Sequence, residues 1–127
     1  MRFASVSQAG GRDATRERQR RGRIGAQTMR ARYPSLATLQ LDFEFSDRTE
    51  FLPAPQVTVF HPPAPAYFCF PCPYSDCDGE FDLTKAVDLA VSSHDGEARG
   101  QGQCAGMRHR AVACTLCLEY SISPRWM

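Results

Sequence analysis

The sequence lacks an apolar run of the roughly 20 residues that a helix needs to cross a bilayer. No helical span of a bilayer is therefore expected from these residues, and no membrane partner is expected. Residues 1–32 also lack the shorter apolar stretch of a secretory leader. No Ser/His/Asp set, no phosphate-cradling glycine loop and no paired base and nucleophile stand out, so no enzyme is expected. Asp76, Asp78, Glu80 and Asp82 lack the ligand spacing and closing glutamate of a calcium loop. No internal repeat is found.

Charge is present but divided. The net charge of +1 hides nine arginines in residues 1–32, set against only Asp13 and Glu17, a balance of +7. Residues 33–127 carry six basic and twelve acidic side chains, a balance of −6. Large apolar residues are nearly missing from the basic part. It cannot bury enough surface to offset its ordering entropy, which predicts a disordered Arg-rich tail over residues 1–33. Its densest charge run is residues 16–23. That run is expected to be a solvated tail, or residues upstream of a start at Met29. The sharper reading is an arm for nucleic acid. The single domain is then residues 34–127.

Six cysteines are present. With no leader in view, a cytoplasmic location is expected, where thiols stay reduced. Clustered cysteines there bind metal or do redox work more often than they form disulfides. A short chain with nine prolines also has a limited core, which a structural metal would supplement.

Periodicity places the cysteines. Leu39, Leu41, Phe43 and Phe45 alternate with polar residues, the period of two of a half-buried strand. Residues 56–61 form a second, edge strand bracketed by prolines. Residues 66–70 form a third, and residues 80–83 are briefly extended. Thr84 is the expected N-cap of a helix with Leu83, Ala86, Val87, Ala90 and Val91 on one face, ending near Gly96. Residues 97–104 and 114–123 read as strands, with 46–50 and 106–111 as turn and loop. The fold class is mainly β within a small α+β domain: antiparallel strands with one short helix.

Cys72 and Cys77 flank a tight turn ending in Asp78 and Gly79, with four residues between them, within the spacing of a metal knuckle. Cys104 ends one expected strand and Cys114 begins the next, at one end of a hairpin. Cys72, Cys77, Cys104 and Cys114 are therefore the expected metal ligands. The competing set takes the two Cys-x-x-Cys pairs, Cys69/Cys72 and Cys114/Cys117. Six ordinary buried or free thiols are the bland alternative. His109 lies between Cys104 and Cys114 and is a substitute ligand in principle.

The pattern Cys72-Pro73 … Cys77-Asp78-Gly79 … Cys104-x-Gly106 … Cys114, followed by a strand over 116–122, resembles a zinc-ribbon-like protein. It is also similar to small uncharacterised bacterial proteins with a CP…CDG…FDL segment. The resemblance covers residues 66–123 and implies a structural zinc held by four thiolates. It departs from the usual ribbon in its knuckle spacings of four and nine residues, and in the helix between the knuckles. It implies no reaction, because ribbons serve unrelated roles. The leading expectation is a zinc-binding interaction module with a protein partner. The alternatives are nucleic-acid binding through the Arg-rich tail, and thiol redox chemistry at Cys114 and Cys117.

Overall fold

A computed structural model describes residues 2–48, 51–109 and 111–127. Its elements run α1 (Arg2–Gly25), α2 (Met29–Arg32), β1 (Leu36–Ser46), β2 (Gln56–Phe60), β3 (Cys69–Pro71), β4 (Glu80–Asp82), α3 (Thr84–Ser92), β5 (Ala98–Gln103), β6 (Met107–Arg108), β7 (Val112–Ala113) and β8 (Cys117–Trp126). Antiparallel strands dominate, so the fold is a small α+β one.

The main sheet has the order β2-β1-β8-β5. The alternation in β1 sets its faces. Leu39, Leu41 and Phe43 are buried, and across the β1–β8 register they share a face with Leu118 and Ile122. Val87, Ala90 and Val91 of α3, together with Phe68, Phe81, Leu83 and Leu116, close this core. Gly100 leaves room for the Tyr120 ring, which would meet a side chain there. β2 is an edge strand, as its flanking prolines predict. β3 does not join this sheet. It pairs with β4, and β6 pairs with β7, forming two small ribbons beside the main sheet.

The ends of α3 differ from expectation. Leu83 is the N-cap and makes no side-chain capping bond. Thr84 is the first helical residue; its N–H donates to Asp82 Oδ1 at 3.0 Å, and its hydroxyl accepts from Phe68 N–H at 3.1 Å. The hydroxyl thus serves the segment that leads into β3. At the other end His94, with φ of 52°, takes the left-handed position expected near Gly96. Its ring stacks on Trp126 at 4.3 Å, a contact that a glycine there would not make. The expected turn over 46–50 and loop over 106–111 lie partly outside the described residues, and β6 begins within the latter.

The basic segment also departs from the expected disordered tail. It forms α1 and α2, and both touch the domain. Thr28 caps α2 by accepting from Ala31 N–H at 3.2 Å. Met29 N–H, Arg30 N–H and Ala66 N–H donate to Ala64 O, Pro62 O and Gln27 O at 2.8–2.9 Å. Met29 is buried in the core. Arg32 and the Tyr33 hydroxyl both donate to Asp88 on α3. Composition gives no sign of α1 because the face it docks is polar: among its described side chains, Thr15 and Gln19 are the buried ones. Hydrogen bonding orders this face, whereas composition registers only apolar burial.

Candidate metal centre

Four cysteines meet at the ends of the two small ribbons. Cys72 and Cys77 lie in the loop between β3 and β4. Cys104 follows β5, and Cys114 follows β7. Gln103 and Cys117 are partners in the β5–β8 register, which brings the two ends of this loop together. The four side chains are buried, and their Sγ atoms all lie within 4.8 Å of one another. Cys72 Sγ is 4.0 Å from Cys114 Sγ, and Cys77 Sγ is 3.6 Å from Cys104 Sγ.

Local geometry is shared between the halves. In each, a Cys-x-Gly turn aims a glycine N–H at the sulfur two residues earlier: Gly79 to Cys77 at 3.3 Å and Gly106 to Cys104 at 3.4 Å. In each, the glycine carbonyl accepts from the second cysteine: Cys72 N–H to Gly79 O at 3.0 Å, and Cys114 N–H to Gly106 O at 2.9 Å. The chain order is opposite, with the second cysteine before the turn in one half and after it in the other. The two glycines face each other. A Cβ on Gly79 would meet Cys104 Sγ and, at 2.9 Å, Gly106 N; one on Gly106 would meet the Gly79 N and Cα. Only glycine fits this close approach.

Polar bonds tie the two halves further. Asp78 Oδ1 accepts from Met107 N–H at 2.8 Å, and Asp76 O accepts from His109 N–H at 2.9 Å. The Asp76 carboxylate takes Arg108 Nε at 2.9 Å and His109 Nε2 at 2.7 Å. The Arg108 guanidinium lies 4.2 Å over the Tyr74 ring. Asp47, just past β1, accepts from Tyr74 Oη at 2.7 Å and Thr115 Oγ1 at 2.6 Å, joining the centre to the main sheet. Hydrogen bonds from Thr115 and then Tyr74 hold the Asp47 carboxyl below its usual range.

The sulfurs are electrostatically unequal. Hydrogen bonding from Cys72, and further bonds from Gly106 N–H and Cys77, hold the Cys104 thiol down to about 5. Its bond to Cys104 and then burial push Cys72 up; burial pushes Cys77 up to about 12.

The other thiols lie elsewhere. Cys69 is buried in β3 beside Gln19 Nε2 at 3.8 Å, and burial followed by the Glu80 charge pushes it up to about 12. Cys117 is half-buried, its Sγ 3.8 Å from Thr115 O. His109 turns to Asp76. The competing set of two Cys-x-x-Cys pairs is thus not the one brought together.

The donor set suits a soft or borderline cation. Tetrahedral zinc with Zn–S bonds of about 2.3 Å needs sulfurs about 3.8 Å apart, between the two separations seen here. Four sulfurs and two N–H···S bonds can hold such an ion. Sequence reasoning missed the glycine crossing and Arg12, which meets the knuckle from α1. The repeated Cys-x-Gly triplet was the available signal for the first; Arg12 left none.

Compared with known proteins, the chain matches no family model, no curated protein and no solved structure. Fold and site together define a small α+β domain with a buried four-cysteine group able to hold a metal ion.

Proposed function

We propose that Cys72, Cys77, Cys104 and Cys114 hold one structural zinc ion, and that the domain serves as an interaction module with no catalytic role. The convergence of four buried sulfurs within 4.8 Å of one another, two pairs of them at 4.0 and 3.6 Å, carries this reading. A closed four-thiolate site leaves no open coordination position for a substrate. A reducing compartment such as the cytoplasm suits it, because the thiols must stay free to bind. No helix among the described residues is long and apolar enough to cross a membrane. Elemental analysis after mild purification should give about one zinc per chain for a single four-ligand site. Iron in the same position would colour the protein and revise the metal alone. Folded, monomeric, metal-free protein would overturn the reading.

A second reading is binding to nucleic acid through the N-terminal segment. Arg16, Arg23 and Arg30 are exposed, and no ion pair among the described residues engages them. The acidic balance of residues 33–127 disfavours the rest of the domain as a phosphate-binding surface. Labelled DNA and RNA titrated at two salt concentrations test this. Replacing the three arginines by glutamine should lower the salt slope by up to about three if all contact phosphate.

A further inference from the structure

One face of α1 lies on the first knuckle. Arg12 Nη1 is within hydrogen-bond distance of three carbonyl oxygens: Tyr74 and Cys77 at 2.7 Å and Cys72 at 3.2 Å. Two of these carbonyls belong to cysteines of the metal centre. One helical turn on, Thr15 Oγ1 donates to Asp78 O at 2.8 Å. A further turn on, Gln19 Nε2 donates to Glu80 Oε1 at 3.1 Å, and Arg18 pairs with the same oxygen at 2.7 Å. Gly22 then passes so close to the Tyr67 ring that a side chain there would collide with it. Arg12, Thr15, Gln19 and Gly22 follow the three- and four-residue spacing of one helix face. That face is polar, and its targets are mostly backbone carbonyls of the 72–80 loop.

Those carbonyls converge only while the loop keeps its turn. The turn is held by the Gly79 N–H bond to Cys77 Sγ, by the Cys72 N–H bond to Gly79 O, and by the convergence of its two sulfurs with those of Cys104 and Cys114. A guanidinium has a planar fork of donors and gathers several oxygens at fixed positions. It also sets a positive charge beside a site where four thiolates around a divalent cation carry net negative charge.

We propose that Arg12 is a positioning residue of the metal centre, so that docking of α1 and binding of the metal are coupled. The inference rests on the metal reading above and deepens it. Metal fixes the knuckle and presents its carbonyls; Arg12 engages them and holds α1 in place. By linkage, α1 raises metal affinity by the same factor by which metal favours docking. Loss of metal releases the Arg-rich helix from the domain.

The test uses the full chain, zinc ions and a competing chromophoric chelator to measure zinc affinity. Hydrogen exchange over residues 11–25 is read in parallel. Arg12→Ala should lower zinc affinity by about 10–100-fold, the usual effect of removing a group that supports metal ligands. It should also speed exchange in α1. Arg12→Lys should restore part of the affinity, and Arg16→Ala, on the exposed side, should change neither readout. Stripping zinc from the unaltered chain should speed exchange in α1 by the factor that linkage requires. If Arg12→Ala does not fold, Thr15→Val, which removes the bond to Asp78 O, should show a smaller loss in both readouts. Unchanged zinc affinity in Arg12→Ala, or in Thr15→Val where that variant is the one read, would overturn the coupling, as would α1 exchange indifferent to zinc. An unaltered chain that binds no zinc would overturn the metal reading itself, an outcome separate from these.

Discussion

Gly106→Ala tests the centre at its tightest point. A Cβ at Gly106 would run into Gly79 N and Cα, and would lie 2.9 Å from Asp78 Oδ1. The first two are backbone atoms and cannot rotate away. Relief requires the two knuckles to separate. The Cys72–Cys114 and Cys77–Cys104 sulfur separations, 4.0 Å and 3.6 Å, both span the two knuckles, so separation stretches the metal site directly. It also strains the 2.8 Å bond from Met107 N–H to Asp78. Overpacking typically costs about 1–3 kcal/mol, and unyielding backbone places this substitution at the upper end, about 3 kcal/mol. That is about 100-fold in the folding equilibrium. It corresponds to a fall of roughly 10 °C or more in Tm for a domain of this size. Denaturant unfolding in zinc-buffered solution, with metal content measured on the same samples, is the assay. Gly96→Ala is the control, since a Cβ there meets nothing within 4 Å; it should stay within about 0.5 kcal/mol. Gly79→Ala attacks the same contact, so the double variant should cost less than the two single costs combined. Wild-type stability and full metal content in Gly106→Ala would refute the crossing.

Cys72→Ser should lose metal and unfold the domain, whereas Cys117→Ser, outside the four-sulfur group, should keep both; equal metal loss in the two would shift the ligand set to the Cys-x-x-Cys pairs. Met29→Ala should cost about 2–5 kcal/mol in chemical unfolding, because this side chain from the basic segment is fully buried in the core. Deleting residues 1–32 should for the same reason lower Tm, whereas a disordered tail could be removed without effect. Asp88 is held below the usual carboxylate range, first by its bond from Arg32 and also by Tyr33. A depressed carboxylate contributes stability above its unfolded pKa of about 3.9, and that stability is lost as pH falls through the folded value. Asp88→Asn should therefore lower stability at neutral pH and flatten its acid limb; a limb as steep as wild type would count against the pairing.

Where one face of an element is apolar, the sequence was legible. The alternation in 39–45 and 116–122 found β1 and β8, and the 3.6-residue pattern found α3, because core burial imposes those periods. Strand ends also sorted the cysteines, since Gln103 and Cys117 pair and leave Cys104 and Cys114 at one end. Where a segment is ordered by contacts with another part of the chain, pattern was silent. β6 and β7 are two residues each, and Arg108 of β6 also forms a bridge with Cys77. Thr84 has the chemistry of a cap, yet its hydroxyl is taken by Phe68 N–H, sixteen residues away. Arg12 reads in sequence as one more arginine among the nine of residues 1–32. Its three carbonyl partners lie 60 to 65 residues further on, a separation no local pattern encodes.

The main sheet buries one face under α3, and Phe70 of β3 packs on Phe43 and Phe60 of that sheet, but the 72–80 loop beyond it is also tied by polar bonds: carbonyls facing Arg12 and Thr15 on one side, and Asp47 and Asp76 binding side chains on the other. Apolar burial alone cannot hold such a loop, and each hydrogen bond contributes only about 1 kcal/mol net. A structural zinc contributes about 10–16 kcal/mol in small domains, comparable to the whole stability of an ordinary one. Placed between two Cys-x-Gly turns that touch backbone to backbone, it would fix the β3–β4 and β6–β7 ribbons against each other at one point. The main sheet reaches that point through Asp47 and the β5–β8 ends, and α1 reaches it through Arg12. The two ribbons, the main sheet and α1 thus converge on four sulfurs, so stripping the metal should loosen α1 and both ribbons before it melts the β1–β8 core.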